Sequence, residues 1–335
     1  DESLGYSIMG MAYAGKWDAT DQIPARAVAA GMSRFDSMDP DSGGDSQRYS
    51  LQAEWHRADA NSMTKIMAYG FYYDLDLFSN FTYFLDDPIN GDQFHQHDDR
   101  VAAGIKASHT WYNNVWDRDM ENTIGLQVRN DFINNGLFNT VDRLTLNQVR
   151  KDDVWQLSVS PYVENRTQWA EKFRTVAGVR ADIYHFDVDS DNPINSGTKT
   201  DAIVSPKLSL VFGPWADTEV YLNGGLGFHS NDGRGTTTRI DPGSGLAVDP
   251  VDPLVRTYGA EIGVRTTWVP NLHSSLSLWW LDIDSELLFI GDAGNTEASR
   301  PSRRYGIEFA NYYTPLKWLT IDADFSLSHA EFRDR

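Results

Sequence analysis

The chain has 335 residues, with 29 Lys and Arg against 48 Asp and Glu and a net charge of −19. That balance argues against nucleic acid, whose binding rests on neutralising phosphates with basic side chains, and favours cations or cationic ligands. Mean hydropathy is −0.47, and no run approaches the roughly 18 to 20 apolar residues of a membrane-spanning helix. A β-barrel passes that test, because only alternate residues of its strands face lipid. Length does not divide the chain, since barrels of this size form one unit. Aromatic content of 13%, with 11 Trp, 15 Tyr and 16 Phe, suits two aromatic girdles. The absence of cysteine removes disulfides, thiolate metal ligands and thiol nucleophiles. Asp1-Glu2-Ser3-Leu4 has neither the basic stretch nor the apolar core of a signal peptide, so a mature or truncated product is expected.

Period-2 segments follow one another along the chain. From Gln47 to Ala58, Tyr49, Leu51, Ala53 and Trp55 alternate with Ser50, Gln52, Glu54 and His56, a lipid-out, lumen-in strand. A turn at Asp59 leads into Thr64 to Phe78, where Met67, Tyr69, Phe71, Tyr73, Leu75 and Leu77 form the apolar face. Arg100 to Asn113 and Met120 to Phe132 make the next hairpin through Asn114. Asp152 to Glu164 and Phe173 to Phe186 follow, turning at Trp169, then Ala202 to Phe212 and Glu219 to Ser230, turning at Trp215. Arg256 to Trp268 pairs through Asn271 with Leu272 to Glu286, and Arg303 to Tyr313 through Pro315 with Trp318 to Ala330. Because Leu276, Leu278 and Trp280 share parity with Asp282 and Asp284, a β-bulge is expected near Trp279.

Between hairpins lie polar segments, Trp17 to Ser46, Ser79 to Asp99, Ile133 to Arg150, Asp187 to Thr200, Asn231 to Leu254 and Leu287 to Ser302. Short and long connections thus alternate, as in an outer-membrane barrel with periplasmic turns and external loops. The fold class is therefore all-β, a transmembrane antiparallel up-and-down barrel over residues 1–335. The count of about 13 strands is odd where single-chain bacterial barrels use even numbers. With an ending at Phe332-Arg333-Asp334-Arg335 that reads as loop, a partial barrel lacking its first and last strands is expected.

Several segments resemble the TonB-dependent outer-membrane receptors. Asp76-Leu77-Phe78-Ser79-Asn80-Phe81-Thr82-Tyr83-Phe84-Leu85-Asp86-Asp87-Pro88 is similar to a strand running into an external loop of that family. Ser205-Pro206-Lys207-Leu208-Ser209-Leu210, Glu219-Val220-Tyr221-Leu222-Asn223 and Gly227-Phe228-His229-Ser230-Asn231-Asp232 resemble its mid-barrel hairpin. Tyr258-Gly259-Ala260-Glu261-Ile262-Gly263 and Ser302-Arg303-Arg304-Tyr305-Gly306-Ile307-Glu308 follow in the family's order. The resemblance implies a barrel of about 22 strands in the bacterial outer membrane, filled by an N-terminal plug that this chain does not include. It also implies energy coupling to TonB through that plug, and import of a scarce ligand such as a metal chelate. A passive porin-type channel and a soluble β-rich protein are the alternatives.

No GxSxG, HExxH or P-loop occurs, and Gly224-Gly225-Leu226-Gly227 sits inside a strand, so no enzyme and no resident cofactor are expected. Asp86, Asp87, Asp92, His95, His97, Asp98 and Asp99 gather carboxylates and imidazoles in one external loop able to hold a divalent cation, or simply to be solvated. Asp187, Asp189 and Asp191 form a second acidic group. Glu54, Arg129, Asp131, Arg180, Asp182, Glu261, Arg265, Arg304, Glu308, Asp322 and Asp324 are expected on the inner wall, mostly in cross-strand ion pairs. Near the external mouth, Tyr184, His229, Asn231, Asp232 and Arg234 are the ligand candidates, with Arg234 able to grip an anionic chelate through its fork.

Overall fold

In the computed structural model the period-2 segments become strands hydrogen-bonded to their sequence neighbours. The strands are β1 (Leu4–Asp18), β2 (Gly43–Asp59), β3 (Ser62–Ser79), β4 (Phe94–Val115), β5 (Arg118–Val141), β6 (Leu144–Ala170), β7 (Phe173–Ser190) and β8 (Gly197–Trp215). They continue as β9 (Thr218–Ser230), β10 (Leu254–Thr266), β11 (Leu272–Ile283), β12 (Leu287–Ile290), β13 (Asn295–Ala298), β14 (Ser302–Leu316) and β15 (Leu319–Phe332). Residues 3–20, 22–285, 287–290 and 295–333 are described; Asp1, Glu2, Glu286, Asp334 and Arg335, on which parts of the terminal and strand expectations fell, lie outside them. One antiparallel sheet of 13 strands runs β1 through β11, then β14 and β15, while β12 and β13 pair separately. The expected strand number and up-and-down order are met.

One end of the wall carries the tight turns, at residues 60–61, 116–117, 171–172, 216–217 and 317–318. Strands run further than expected before reversing, to Val115, Ala170 and Leu316. Trp116 and Asp117 (φ 54° and 56°), and likewise Ala216 and Asp217 (φ 47° and 56°), take the left-handed conformation of a two-residue hairpin turn. At the other end Ile133–Arg150 is not a long loop. β5 and β6 continue to Val141 and from Leu144 and reverse at Asp142 and Arg143, again left-handed (φ 51° and 61°). Here polar residues such as Asn134, Asn135, Asn139 and Thr140 occur on both strand faces, so alternation vanishes although the strands persist.

Register assigns the two faces. Tyr49 pairs with Tyr72 and Tyr72 with Val101, Val101 with Phe132, and Phe132 with Trp155. With Leu51, Ile105, Ile124, Ile183, Leu222 and Ile262, all exposed, these residues form an outward apolar band. β3 therefore turns Ile66, Ala68, Gly70 and Tyr72 outward, opposite Trp55, Ala53, Leu51 and Tyr49. Met67, Tyr69, Phe71 and Tyr73, expected to face lipid, line the inside instead; β3 has apolar residues on both faces, and hydrophobicity alone picks the wrong one.

The expected bulge near Trp279 is also absent. β10, β11 and β14 stay in register through Trp279, with Asp282 opposite Tyr258 and Arg303. Outward alternation needs to be apolar only across the band's height, about 25 Å. Beyond it Asp282 is free to pair with Arg303 (2.8 Å) with no slip of phase. Inward, Glu54, Glu261, Arg265, Arg304, Glu308, Asp322 and Asp324 all register on the lumen side.

Candidate functional site

Residues i and i+2 of a strand point to the same side about 7 Å apart, within reach of an arginine. Four adjacent strands use that spacing on the inward face, near the loop end on β4 and β6 and at about mid-strand on β5 and β7. On β4, Arg100 Nε donates to Asp98 Oδ1 at 2.7 Å. On β5, Arg129 Nε and Nη2 donate to the two Asp131 oxygens at 2.8 and 2.7 Å. On β6, Arg150 pairs with Asp152 and also donates to Thr238 Oγ1 at 3.1 Å. On β7, Arg180 Nε donates to both Asp182 oxygens at 2.8 and 3.0 Å. These are pairs along one strand rather than across two.

Burial within these pairs is unequal. The side chain of Arg129 is 46% exposed over an Asp131 that is 2% exposed, and Arg180 is 36% exposed over an Asp182 that is 0% exposed. Each carboxylate lies against the wall with its guanidinium above it. The lumen surface thus presents hydrogen-bond donors in fork geometry, even though the chain as a whole is acidic. Cross-strand pairing dominates lower down, where Glu219 lies between Arg174 (2.6 Å) and Arg265 (2.5 Å), and Glu261 accepts from Tyr221 and Asn223 at 3.0 and 3.1 Å.

The 231–253 connection folds back onto this face. Its short 3-10 helix, Gly233–Thr236, packs on β6 and β7, and a Cβ on Gly233 would stand 2.8 Å from a Phe186 ring carbon and 3.2 Å from Val154. Only glycine allows that approach. Asn231 is buried and ties the loop's ends together through Asp252 (2.7 Å) and Pro253 (2.9 Å). The Arg234 fork is already engaged, with Nε and Nη2 donating to Asp232 at 3.0 and 2.6 Å, while Asp232 Oδ1 also accepts the Arg234 backbone N–H at 2.9 Å. Desolvation opposes ionisation of Asp232, but the adjacent Arg234 charge and hydrogen bonds outweigh it and hold the carboxyl at about 2, while Arg234 is raised. Tyr184 lies on the inner face beside Phe186 and Phe228, with ring centroids 5.9 Å from each. His229 sits on β9 opposite Val255.

The residues read as one cation-binding loop are dispersed. Asp92 accepts three backbone N–H groups, from Leu85 (2.7 Å), Asp86 (3.2 Å) and Asp87 (2.7 Å), and Asp87 caps Ile89 and Asn90 (2.9 and 3.0 Å). Desolvation raises the Asp92 carboxyl, but these donors prevail and lower it; the Asn90 and Ile89 donors lower Asp87. His95, His97, Asp98 and Asp99 belong to β4 rather than to a loop. The strand sends Asp98 inward to Arg100 and the other three outward, where Asp99 accepts from the Tyr72 hydroxyl at 2.8 Å. Asp187 and Asp189 also lie on the outward side, opposite Trp155 and Asp153. Asp191 lies past the strand and accepts from Gln148 at 2.8 Å. Asp76, which sequence reasoning left in its strand, accepts from His95 and His97 (2.6 and 2.9 Å). The Asp-x-Arg and Arg-x-Asp spacing was the sequence signal for the inner pairs at Asp98 and Arg150.

Comparison with known proteins matches the wall as a whole. A search of curated proteins finds no sequence match. Among solved structures, the unliganded ferric citrate transporter FecA superimposes with a TM-score of 0.78 at 15% identity, over 100% of this chain and 50% of that one. BauA, the ferric preacinetobactin receptor from Acinetobacter baumannii, gives 0.74 at 11%, over 100% and 53%. The closed form of Fiu, the ferric-catecholate import receptor from Escherichia coli K12, gives 0.72 at 12%, over 99% and 56%. The chain therefore spans about half the length of these structures, and at such identities the likeness establishes the fold alone. The family model for the TonB-dependent receptor-like β-barrel matches residues 6–335, and the chain belongs to that family.

Proposed function

We propose that this chain is wall of an outer-membrane, TonB-dependent transporter whose lumen admits an anionic metal chelate. The observation that carries the reading is the inner wall at about mid-strand, where Arg129 and Arg180 stand exposed above buried Asp131 and Asp182. A guanidinium whose Nε edge is held by a carboxylate keeps further N–H donors in a fixed plane, which suits carboxylate or catecholate oxygens of a chelate. The ferric chelates named for FecA and Fiu are of that chemistry. Coupling to TonB runs in this reading through a plug domain filling the lumen, and the surrounding partner is outer-membrane lipid. Transport of this kind needs no catalytic group or resident cofactor from the wall.

The test is binding by the purified full-length receptor of ferric chelates that differ in net charge, with ferric citrate as the anionic probe. Saturable binding of anionic chelates that weakens in Arg129→Ala and Arg180→Ala supports the proposal. Equal binding of anionic, neutral and cationic chelates, unaffected by either substitution, defeats it. Ungated conductance of small solutes across planar bilayers by the full-length protein would instead favour a passive channel.

A further inference from the structure

Above the outward apolar band, β2, β3 and β4 bring five titratable side chains together. Asp45 pairs in register with Asp76, Asp76 with His97, and Phe78 with His95, so all lie on the same outward side as Tyr72. His95 Nε2 and His97 Nδ1 reach the same oxygen, Asp76 Oδ1, at 2.6 and 2.9 Å. One ligand atom from each of these three residues lies within 4.8 Å of the others, and the carboxylates of Asp45, Asp74 and Asp76 meet the same criterion.

Three features separate this cluster from a solvated acidic patch. Two imidazoles and a carboxylate converge on one point, a donor set that suits a borderline divalent metal better than calcium or magnesium. The His95 ring is stacked on Phe78 (4.4 Å, 8°) and packed against Phe138 (5.6 Å), which fixes the plane in which its nitrogen points. Among the described residues, no Lys or Arg forms an ion pair with Asp45, Asp74 or Asp76. Three carboxylates side by side without a cation repel one another, and a bound dication removes that cost. All donors sit on hydrogen-bonded strands, so little ordering remains to be done on binding. Metal–ligand distances of about 2.0–2.2 Å place donors slightly further apart than these contacts, a displacement the side chains can make without moving the backbone.

We infer that Asp76, His95 and His97 form a divalent transition-metal site, with Asp45 and Asp74 as supporting charge, on the outer surface of the wall rather than in the ligand path. Asp76 follows Tyr72, the top of the band, by four positions on a tilted strand, which sets it roughly 10 Å above the hydrocarbon edge. That is the level of lipid headgroups. The ion's remaining coordination positions open outward, and the site holds three neighbouring strands together where they leave the membrane.

Titration of the untagged full-length receptor in detergent with cobalt(II) alone, followed by visible absorption, tests this directly; a site on this cysteine-free wall gives absorption of nitrogen and oxygen ligation without a thiolate charge-transfer band. One cobalt per wall, displaced by zinc, is expected. Loss of an outer-shell partner costs a metal site 10- to 100-fold, so His97→Ala and Asp76→Asn should each weaken binding by about tenfold or more. His185→Ala, also on the outward face, should not. Heat-dependent gel mobility verifies that each variant is folded, and His95→Gln, which keeps the stacking volume, gives a second loss-of-ligand variant. Cobalt binding that is absent, or that persists unchanged in folded His97→Ala and His95→Gln proteins, overturns the inference.

Discussion

Arg129 holds Asp131 through two hydrogen bonds of 2.8 and 2.7 Å while remaining the more exposed partner by far. Asp131 therefore acts as a pedestal, setting the height and plane of the guanidinium above the wall. Removing the arginine and removing the aspartate should have different consequences. Arg129→Ala takes donors away from the lumen, and ferric citrate affinity should fall about tenfold, as expected for one charge-assisted hydrogen bond of ~1.5 kcal/mol. Asp131→Asn keeps the donors but releases their orientation. A smaller affinity loss is expected, with loss of discrimination between chelates of similar charge, read by isothermal titration of both variants.

Arg234 and Asp232 form the loop counterpart of these pairs. The ordinary carboxyl value is 3.8, and in the folded loop Asp232 is held at about 2. A depressed folded value means that the pair's stabilisation is complete above the unfolded value and is lost as pH falls through the folded one. The 231–253 connection should stay closed at about pH 5 and loosen between about pH 4 and pH 2. Pepsin, which cleaves in this acid range, should cut near Leu246 faster as pH drops, after normalisation to a denatured control. Asp232→Asn should be cut readily across the range; protection equal to that of the parent protein would show that the ion pair does not hold the loop.

Gly233 fixes where that loop lands. A methyl group there would collide with Phe186 and crowd Val154, both buried on the inner face. Gly233→Ala should lift the 3-10 helix away from β6 and β7 and break the Arg150 to Thr238 contact of 3.1 Å. Faster amide exchange over residues 233–238, with unchanged protection in β2 and β3, is the expected result. The double variant Gly233→Ala, Phe186→Ala should recover part of the lost protection.

Strand number and order were legible in the sequence because a period of two survives wherever one face meets apolar surroundings and the other does not. Legibility failed where that asymmetry fails. The stretch around Asn134, Asn135 and Thr140 is strand with polar residues on both faces, so it reads as loop. His95 to Asp99 reads as a single acidic loop for the same reason, although the wall divides it between two sides. On β11, the change from Trp280 to Asp282 marks the edge of the apolar band rather than a slip in phase. Asp76 was hidden because the residues meeting it come from a neighbouring strand, and no spacing along the chain encodes that. The inner arginine pairs were half visible: Arg129 with Asp131 and Arg180 with Asp182 stand within clear strands, whereas Asp98 with Arg100 and Arg150 with Asp152 straddle apparent loop boundaries.

β3 offers a direct measurement of which way the wall faces, because both of its faces carry apolar residues and register, not hydrophobicity, separates them. Ala68 lies opposite Ala53 and Ile105 in the outward band, whereas Met67 lies opposite Glu54 and Lys106 on the lumen side. An arginine near the membrane midplane on a lipid-facing position costs about 2–4 kcal/mol, and far less on the lumen face. Ala68→Arg should therefore lower the stability of the full-length receptor by that amount in reversible denaturant titrations from lipid vesicles. Met67→Arg, facing the Glu54 carboxylate across the pair, should change it by less than about 1 kcal/mol. The hydrophobic pattern of β3 taken alone makes the opposite forecast, since Met67 shares its parity with Phe71, Leu75 and Leu77. A larger cost at Met67 than at Ala68 would reverse the two faces of β3, and with them the outward placement of Asp76.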